Sequence, residues 1–286
     1  MNFDAFTKDI TENGWNVFGT EVYEDGKLTH SFGDTEGLHE LFSATKTIVS
    51  VAVGIAYDEG KIDFERSILD YLPKAYVERM QEAQKSAWQK ITVRRLLTMS
   101  VPGLPFRAEG DDYLEFTLSY LIEEPETATF NYSNICTYLI CVALTEIFSE
   151  DLGKVIEKRI FAPLQITNFE YGRSPEGYFY GASNMKLSVH DLSKIGLLLY
   201  HGGIYDGKRI VSEEYCNMAT SVQQMNREGG YGFFIWKYKD GFSINGKCMQ
   251  KCYVLPKKKL VLSYLSHIEE DSHDLRESAE KNILGE

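Results

Sequence analysis

Leu41-Phe42-Ser43-Ala44-Thr45-Lys46-Thr47-Ile48-Val49-Ser50, with the run that continues to Gly60, decides how the rest of this chain is read. Ile48, Val49, Val51, Ala52, Val53, Ile55 and Ala56 make a helix that is apolar nearly all the way round, and such a helix is buried on every side. Its first turn nonetheless carries Ser43 and Lys46 at i and i+3, on one face. A buried amine must be hydrogen-bonded or give up its charge. A lysine that sheds its proton readily can take one from a neighbouring serine and make it a nucleophile. The backbone N–H groups at a helix start suit a developing oxyanion. The plain alternative is that Ser43 caps the helix. Ser-x-x-Lys is a weak pattern, expected about once by chance in a chain of this size. A second copy, Ser183-Asn184-Met185-Lys186, is followed by only a short polar stretch, whereas Ser43 opens a long apolar helix.

The chain has 286 residues, 43% of them hydrophobic, enough for a large core in one domain or two intimate ones. Its net charge is −12, and no basic stripe argues for nucleic acid. The cluster Lys257-Lys258-Lys259 follows Pro256 and reads as a solvated turn. No run approaches membrane-spanning length, and the first residues lack the basic and apolar regions of an export signal. Cys136, Cys141, Cys216, Cys248 and Cys252 are an odd count without framework spacing, and Cys248-x-x-x-Cys252 has no matching second pair for zinc. Reduced thiols and no export signal point to the cytoplasm. No metal or cofactor is expected.

Residues 1–12 read as an amphipathic helix. Strand-like runs at 15–23 and 27–32 flank Asp25-Gly26, a hairpin signal. Helical patterns fill the middle, with Thr92, Ser188 and Ser212 as N-caps. Strand-like runs return at 231–238, 242–244, 251–255 and 260–266, and a polar helix closes the chain from about Asp271 to Leu284. Strands at both ends with helices between predict an α+β fold, an α/β sandwich. One antiparallel sheet is built from both chain ends, flanked by helices, with an inserted helical domain. The expected division is a single unit, 1–286, with residues 1–60 plus 226–286 forming the sheet subdomain and 61–225 a mainly helical one.

Three stretches then line up in order: Ser43-Ala44-Thr45-Lys46, Tyr132-Ser133-Asn134, and Gly246-Lys247 just before a strand. Together they resemble the motifs of the serine β-lactamase and penicillin-binding-protein superfamily. The tyrosine of the second motif is similar to the class C branch, which includes D-Ala-D-Ala carboxypeptidases and esterases. The segments 91–100, 191–196, 202–210 and 231–233 are similar too, and the likeness runs from about Trp15 to Ser266. A lone Tyr-x-Asn is not specific; Tyr215-Cys216-Asn217 is a second one, inside what reads as a surface helix.

The resemblance implies roles. Ser43 would be acylated, Lys46 would hold the proton network and keep Tyr132 partly ionised, and Tyr132 would be the general base. Asn134 would bind the substrate's amide. Lys247 would lower the pKa of Tyr132 and attract a substrate carboxylate. The oxyanion would meet the backbone N–H groups of Ser43 and of Gln250 on an edge strand. Two positions depart from the family: Cys248 and Met249 stand where a small residue or threonine and then glycine are usual. Cys248 lacks a hydroxyl for a carboxylate and Met249 could narrow the cleft, which counts against efficient β-lactam turnover; the chain is also compact between Tyr132 and Lys247, and the more open cleft this implies favours esters or small amides. The implied activity is a serine hydrolase acting through an acyl-enzyme on a small molecule or short peptide: an ester, a D-amino-acid peptide or amide, or weakly a β-lactam. The alternative is a catalytically weak or inactive ligand-binding or regulatory module on the same fold. A cysteine-based site at Cys248 lacks a histidine placed to activate it. The oligomeric state is not legible.

Overall fold

The structure is a computed structural model that describes residues 1–269 and 273–285. Six strands form the main sheet: β1 (Val17–Glu24), β2 (Lys27–Gly33), β3 (Trp236–Tyr238), β4 (Gly241–Gly246), β5 (Gln250–Leu255) and β6 (Leu260–Ser266), in the order β2-β1-β6-β5-β4-β3. Every neighbouring pair is antiparallel. The two ends of the chain meet in the middle of the sheet, where Thr20 of β1 lies opposite Tyr264 of β6. The β1–β2 hairpin turns on Asp25 (φ 52°) and Gly26 (φ 76°); two successive positive φ values match the right-handed twist of a hairpin, and Asp-Gly tolerates them.

Side-chain alternation along these strands divides two cores. Phe242 and Ile244 of β4, Cys252 and Val254 of β5, and Val261 and Leu265 of β6 face the larger core, shared with the helical block. Tyr253, Leu255, Leu262 and Tyr264 face the smaller core. That core is closed by Phe6 and Ile10 of α1 (Phe3–Glu12) and by Leu275 and Ala279 of the last helix, His273–Ala279, continued by a π turn over Glu280–Leu284. Asp271, where the sequence suggests this helix begins, lies outside the described residues. The result is the layered α+β arrangement expected: terminal helices, sheet, helical block.

Two helices anchor that block. α2 (Thr45–Asp58) is buried at every residue from Thr45 to Ala56, and α3 (Asn134–Phe148) from Asn134 to Leu144. Neither has a solvated face, so packing sets their stability far more than propensity. Gly54 lets the ring of Tyr215 press onto α2, since a Cβ there would overlap that ring. Tyr215 also reaches Ser50, donating to its carbonyl at 2.7 Å. The helix Glu213–Thr220 lies at the surface as expected, with Glu213, Glu214 and Asn217 exposed, and Tyr215 is fully buried on its inner side. The expected caps are present, with Thr92, Ser188 and Ser212 each accepting from a first-turn N–H. The strand expected over 231–238 is shortened to Trp236–Tyr238, because Phe234 turns to a positive φ of 60° and breaks the extended run.

Candidate active site

Ser43 lies in a 3₁₀ turn, Phe42–Ala44, that runs into α2. The plain reading of Ser43 as a helix cap is not what its side chain does. No side chain caps α2; instead Ser43 Oγ lies 2.9 Å from Lys46 Nζ. Lys46 is 1% exposed. Its amine also reaches Asn134 Oδ1 at 2.8 Å and the Ala182 carbonyl at 2.7 Å. Burial pulls its pKa down from the usual 10.5 to about 7, opposed only by the weak pull of the Cys136 and Cys141 thiols. Asn134 and Lys46 come from helices that pack on each other, so the contact is set by the α2–α3 interface.

The Phe130–Asn134 stretch is held by its own polar groups. Asn131 N–H donates to the Met99 carbonyl at 2.7 Å, and its Nδ2 to the carbonyls of Val101 and Leu104, each at 3.0 Å. Ser133 caps α3 and donates to the Pro105 carbonyl at 2.6 Å. Between them Tyr132 is presented to the cleft. Its ring packs against Trp236 (5.6 Å between centroids) and Tyr231 (6.2 Å), and Lys46 Nζ stands 5.0 Å from its centroid. The side chain is half-buried overall, with the hydroxyl end desolvated.

That desolvation overturns one expectation. The Tyr132 phenol is not brought toward neutral pH; burial pushes it up to about 12, a hydrogen bond with Ser43 pulls the other way, and Glu228 adds to the rise. Lys247 does not figure among its influences. At neutral pH the titrating group of this cluster is the lysine.

The cleft has a volume of about 380 Å³ and is lined by Ser43, Tyr132, Glu228, Trp236, Asn245 and Lys247, among others. Lys247 is exposed at its rim. Cys248 lines it too, but its thiol is pushed upward by burial and stays protonated, unlike a thiolate nucleophile. Gly246 brings the end of β4 against the Ser43 turn: a Cβ there would overlap the Leu41 carbonyl oxygen. Along β4 the short β3 reaches Gly241, Phe242 and Ser243, so the open edge beside Ser43 is the far end of β4.

Gln250 is therefore not on an edge strand. It begins β5, an interior strand, and its buried side-chain amide is spent on Ser266, donating to its carbonyl at 2.7 Å and accepting from its N–H at 2.9 Å. Met249 does not narrow the cleft either; it belongs to the smaller core. Two contributors escaped the sequence reading: the Ala182 carbonyl, and Tyr180, whose hydroxyl lies 3.5 Å from Asn134 Nδ2. Their one trace in the sequence is the Gly181-Ala182 pair: Gly181 (φ 48°) lets the segment press onto Cys141 and Val49. The second Ser-x-x-Lys is inert in this sense, since Lys186 is on a short strand and pairs with Glu170 at 2.6 Å.

Known proteins are similar to this chain in sequence or in fold. The 6-aminohexanoate-dimer hydrolase of Paenarthrobacter ureafaciens is 22% identical over 218 residues, covering 67% of this chain and 53% of that protein; the match thus spans about half the relative's length. The structure of a family VIII carboxylesterase superposes with a TM-score of 0.76 at 15% identity, covering 98% of this chain and 96% of that one. The octameric penicillin-binding protein homologue from Pyrococcus abyssi superposes with a TM-score of 0.70 at 18% identity, over 98% of this chain and 77% of that one. At these identities the superpositions establish the fold. The family model described as Beta-lactamase matches residues 18–284, and the chain belongs to that family.

Proposed function

We propose that the chain is a serine hydrolase acting through an acyl-enzyme on Ser43, with an ester, a D-amino-acid peptide or amide, or weakly a β-lactam as substrate. The observation that carries this reading is the set of partners around Lys46. Its amine is half neutral near pH 7. A neutral primary amine has two hydrogens and one lone pair. Asn134 Oδ1 and the Ala182 carbonyl can only accept, so they take both hydrogens. The remaining partner is the Ser43 hydroxyl, which must then donate to the lone pair. That is the hydrogen bond a general base makes with its nucleophile.

In this mechanism Ser43 Oγ attacks the carbonyl and its proton moves to Lys46. The oxyanion faces the N–H of Ser43 and the rim formed by residues 246–248. Tyr132, a neutral phenol, gives its proton to the leaving group and regains one from the Lys46 ammonium. Water then reverses the sequence and frees Ser43. Tyr132 is thus an acid before it is a base. Asn134, with Oδ1 held by Lys46, offers Nδ2 to the substrate, and Lys247 at the rim offers a charge. The five buried, unpaired cysteines fit a reducing compartment such as the cytoplasm, and among the described residues no helix is long and apolar enough to cross a membrane.

The test is the intact mass after exposure to a fluorophosphonate. One adduct is expected on the wild-type chain and none on Ser43→Ala. A folded wild-type chain that takes no adduct would instead favour the binding-module reading.

A further inference from the structure

Two charges at the Ser43 cleft are left without a counterpart among the described residues. The charged side chains that line the cleft are Glu228, Lys247, Lys251 and Glu269. Lys251 already has a partner, and Glu269 lies 3.6 Å from His267 Nε2. Glu228 and Lys247 are both exposed, and among the described residues neither side chain forms an ion pair or a hydrogen bond. Lys237 and Arg276 share an adjoining cavity with Glu228, but neither is paired with it, and Arg276 bonds Glu280 instead, at 3.2 Å. Lys247 already serves the serine-hydrolase reading above. Glu228 has no role in it.

The loop that carries Glu228 is closed by its own polar groups. Gln224 and Tyr231 exchange backbone hydrogen bonds of 3.0 and 2.8 Å. Asn226 Oδ1 accepts from the backbone N–H groups of Glu228 and Gly230, each at 2.9 Å. The chain then reaches Trp236 at the start of β3, and Trp236 and Tyr132 line the cleft together with Glu228. The indole packs against Tyr231 (4.8 Å between centroids) and Tyr132 (5.6 Å) and is only half-buried. The Glu228 charge reaches the Tyr132 phenol, where it opposes ionisation. An exposed carboxylate beside half-buried aromatic rings suits a cationic head: the carboxylate supplies the counter-charge, and the rings supply an apolar surface with a negative face. An anionic group in the same place meets repulsion.

We propose that Glu228, with Trp236 as the wall beside it, receives a cationic head on the leaving arm of the substrate. The leaving arm is the one concerned because Tyr132 hands that arm its proton in the mechanism above, and Tyr132 is the catalytic side chain on which the Glu228 charge bears. The inference rests on the serine-hydrolase reading and narrows its substrate class to esters and amides of amino alcohols and diamines, quaternary ammonium forms included.

The test uses three diethyl phosphorothiolates that deliver the same diethylphosphoryl group to Ser43 and differ in the thiol that leaves: thiocholine, its uncharged neohexyl isostere, or mercaptopropionate. In each, Ser43 Oγ bonds to phosphorus, its proton passes to Lys46, the P–S bond breaks, and the thiol departs with the proton of Tyr132. Labelling rates are read by intact mass on wild type, Glu228→Gln and Glu228→Lys. Intrinsic differences among the thiols are common to every protein, and any effect of Glu228 on Tyr132 is common to every arm, so the comparison of arms across variants isolates recognition. Glu228→Gln should slow the cationic arm about tenfold more than the uncharged one. Glu228→Lys should slow it further and turn the preference toward the carboxylate arm, and added salt should shrink both differences. A cationic arm that loses no more than the uncharged one in either variant overturns the role of Glu228 and leaves the hydrolase reading standing. So do three arms that fail to react with a wild-type chain that a fluorophosphonate still labels. A folded chain on which neither kind of reagent marks Ser43 overturns both.

Discussion

If Lys46 takes the proton of Ser43, the reactivity of Ser43 must follow the fraction of neutral amine. With a pKa of about 7, labelling by a fluorophosphonate should climb about tenfold per pH unit below that value and level off above it; at about pH 5 only about one amine in a hundred is neutral. The same shift has a counterpart in stability. Lys46 is almost wholly buried, and its pKa falls from 10.5 unfolded to about 7 folded. Between those values the unfolded chain binds a proton that the native chain does not, so native stability rises with pH across the window. The slope is about 1.4 kcal/mol per pH unit and the whole span about 5 kcal/mol. Below about pH 7 the cost of the buried charge is present in full. Lys46→Met removes this titration. It also strips donors from Asn134 Oδ1 and the Ala182 carbonyl, at about 1–3 kcal/mol each, but that loss does not depend on pH. The assay is therefore paired: labelling rate against pH by intact mass, and denaturant unfolding of wild type and Lys46→Met across the same range. A flat labelling rate between about pH 5 and 9, or a wild-type-minus-variant curve without slope above pH 7, would refute the assignment of Lys46 as proton acceptor.

Tyr132→Phe keeps the ring contacts with Trp236 and Tyr231 and removes only the hydroxyl, so labelling or turnover should fall by about 10²–10⁴ with little change in the unfolding midpoint. Gly246→Ala places a Cβ on the Leu41 carbonyl oxygen; strain of about 1–3 kcal/mol is expected, together with slower labelling as the Ser43 turn is pushed from the strand, and a variant with unchanged stability would count against that close approach. His190 is held above its usual pKa chiefly by its hydrogen bond to the buried Glu21 carboxylate, at 3.0 Å. Because the folded pKa is raised, its stabilisation is complete below about pH 6.5 and is lost as pH rises through the folded pKa; the destabilisation caused by His190→Ala should be larger at acid than at alkaline pH in urea titrations.

What the sequence made legible depended on whether a feature is local. Ser43 and Lys46 share one helix turn, so their meeting follows from spacing alone. The Asp25-Gly26 hairpin and the caps at Thr92, Ser188 and Ser212 are equally local and could be read directly. The layered fold was readable because strands at both ends must find partners, and β1 finds β6. The failures concern quantities that exist only after packing. The charge state of Tyr132 was inferred from two lysines assumed near it, yet its pKa is set by how completely its hydroxyl is desolvated, which no spacing encodes. Gln250 was placed on an edge by resemblance; β4 pairs along β5 as far as Gly246 opposite Gln250, so β5 is interior, and the open edge is the end of β4 beside Gly246 that β3 does not reach. The turn at Phe234 thus bears directly on the site: with β3 ending opposite Ser243, the end of β4 at Gly246 is left to lie against the turn that carries Ser43.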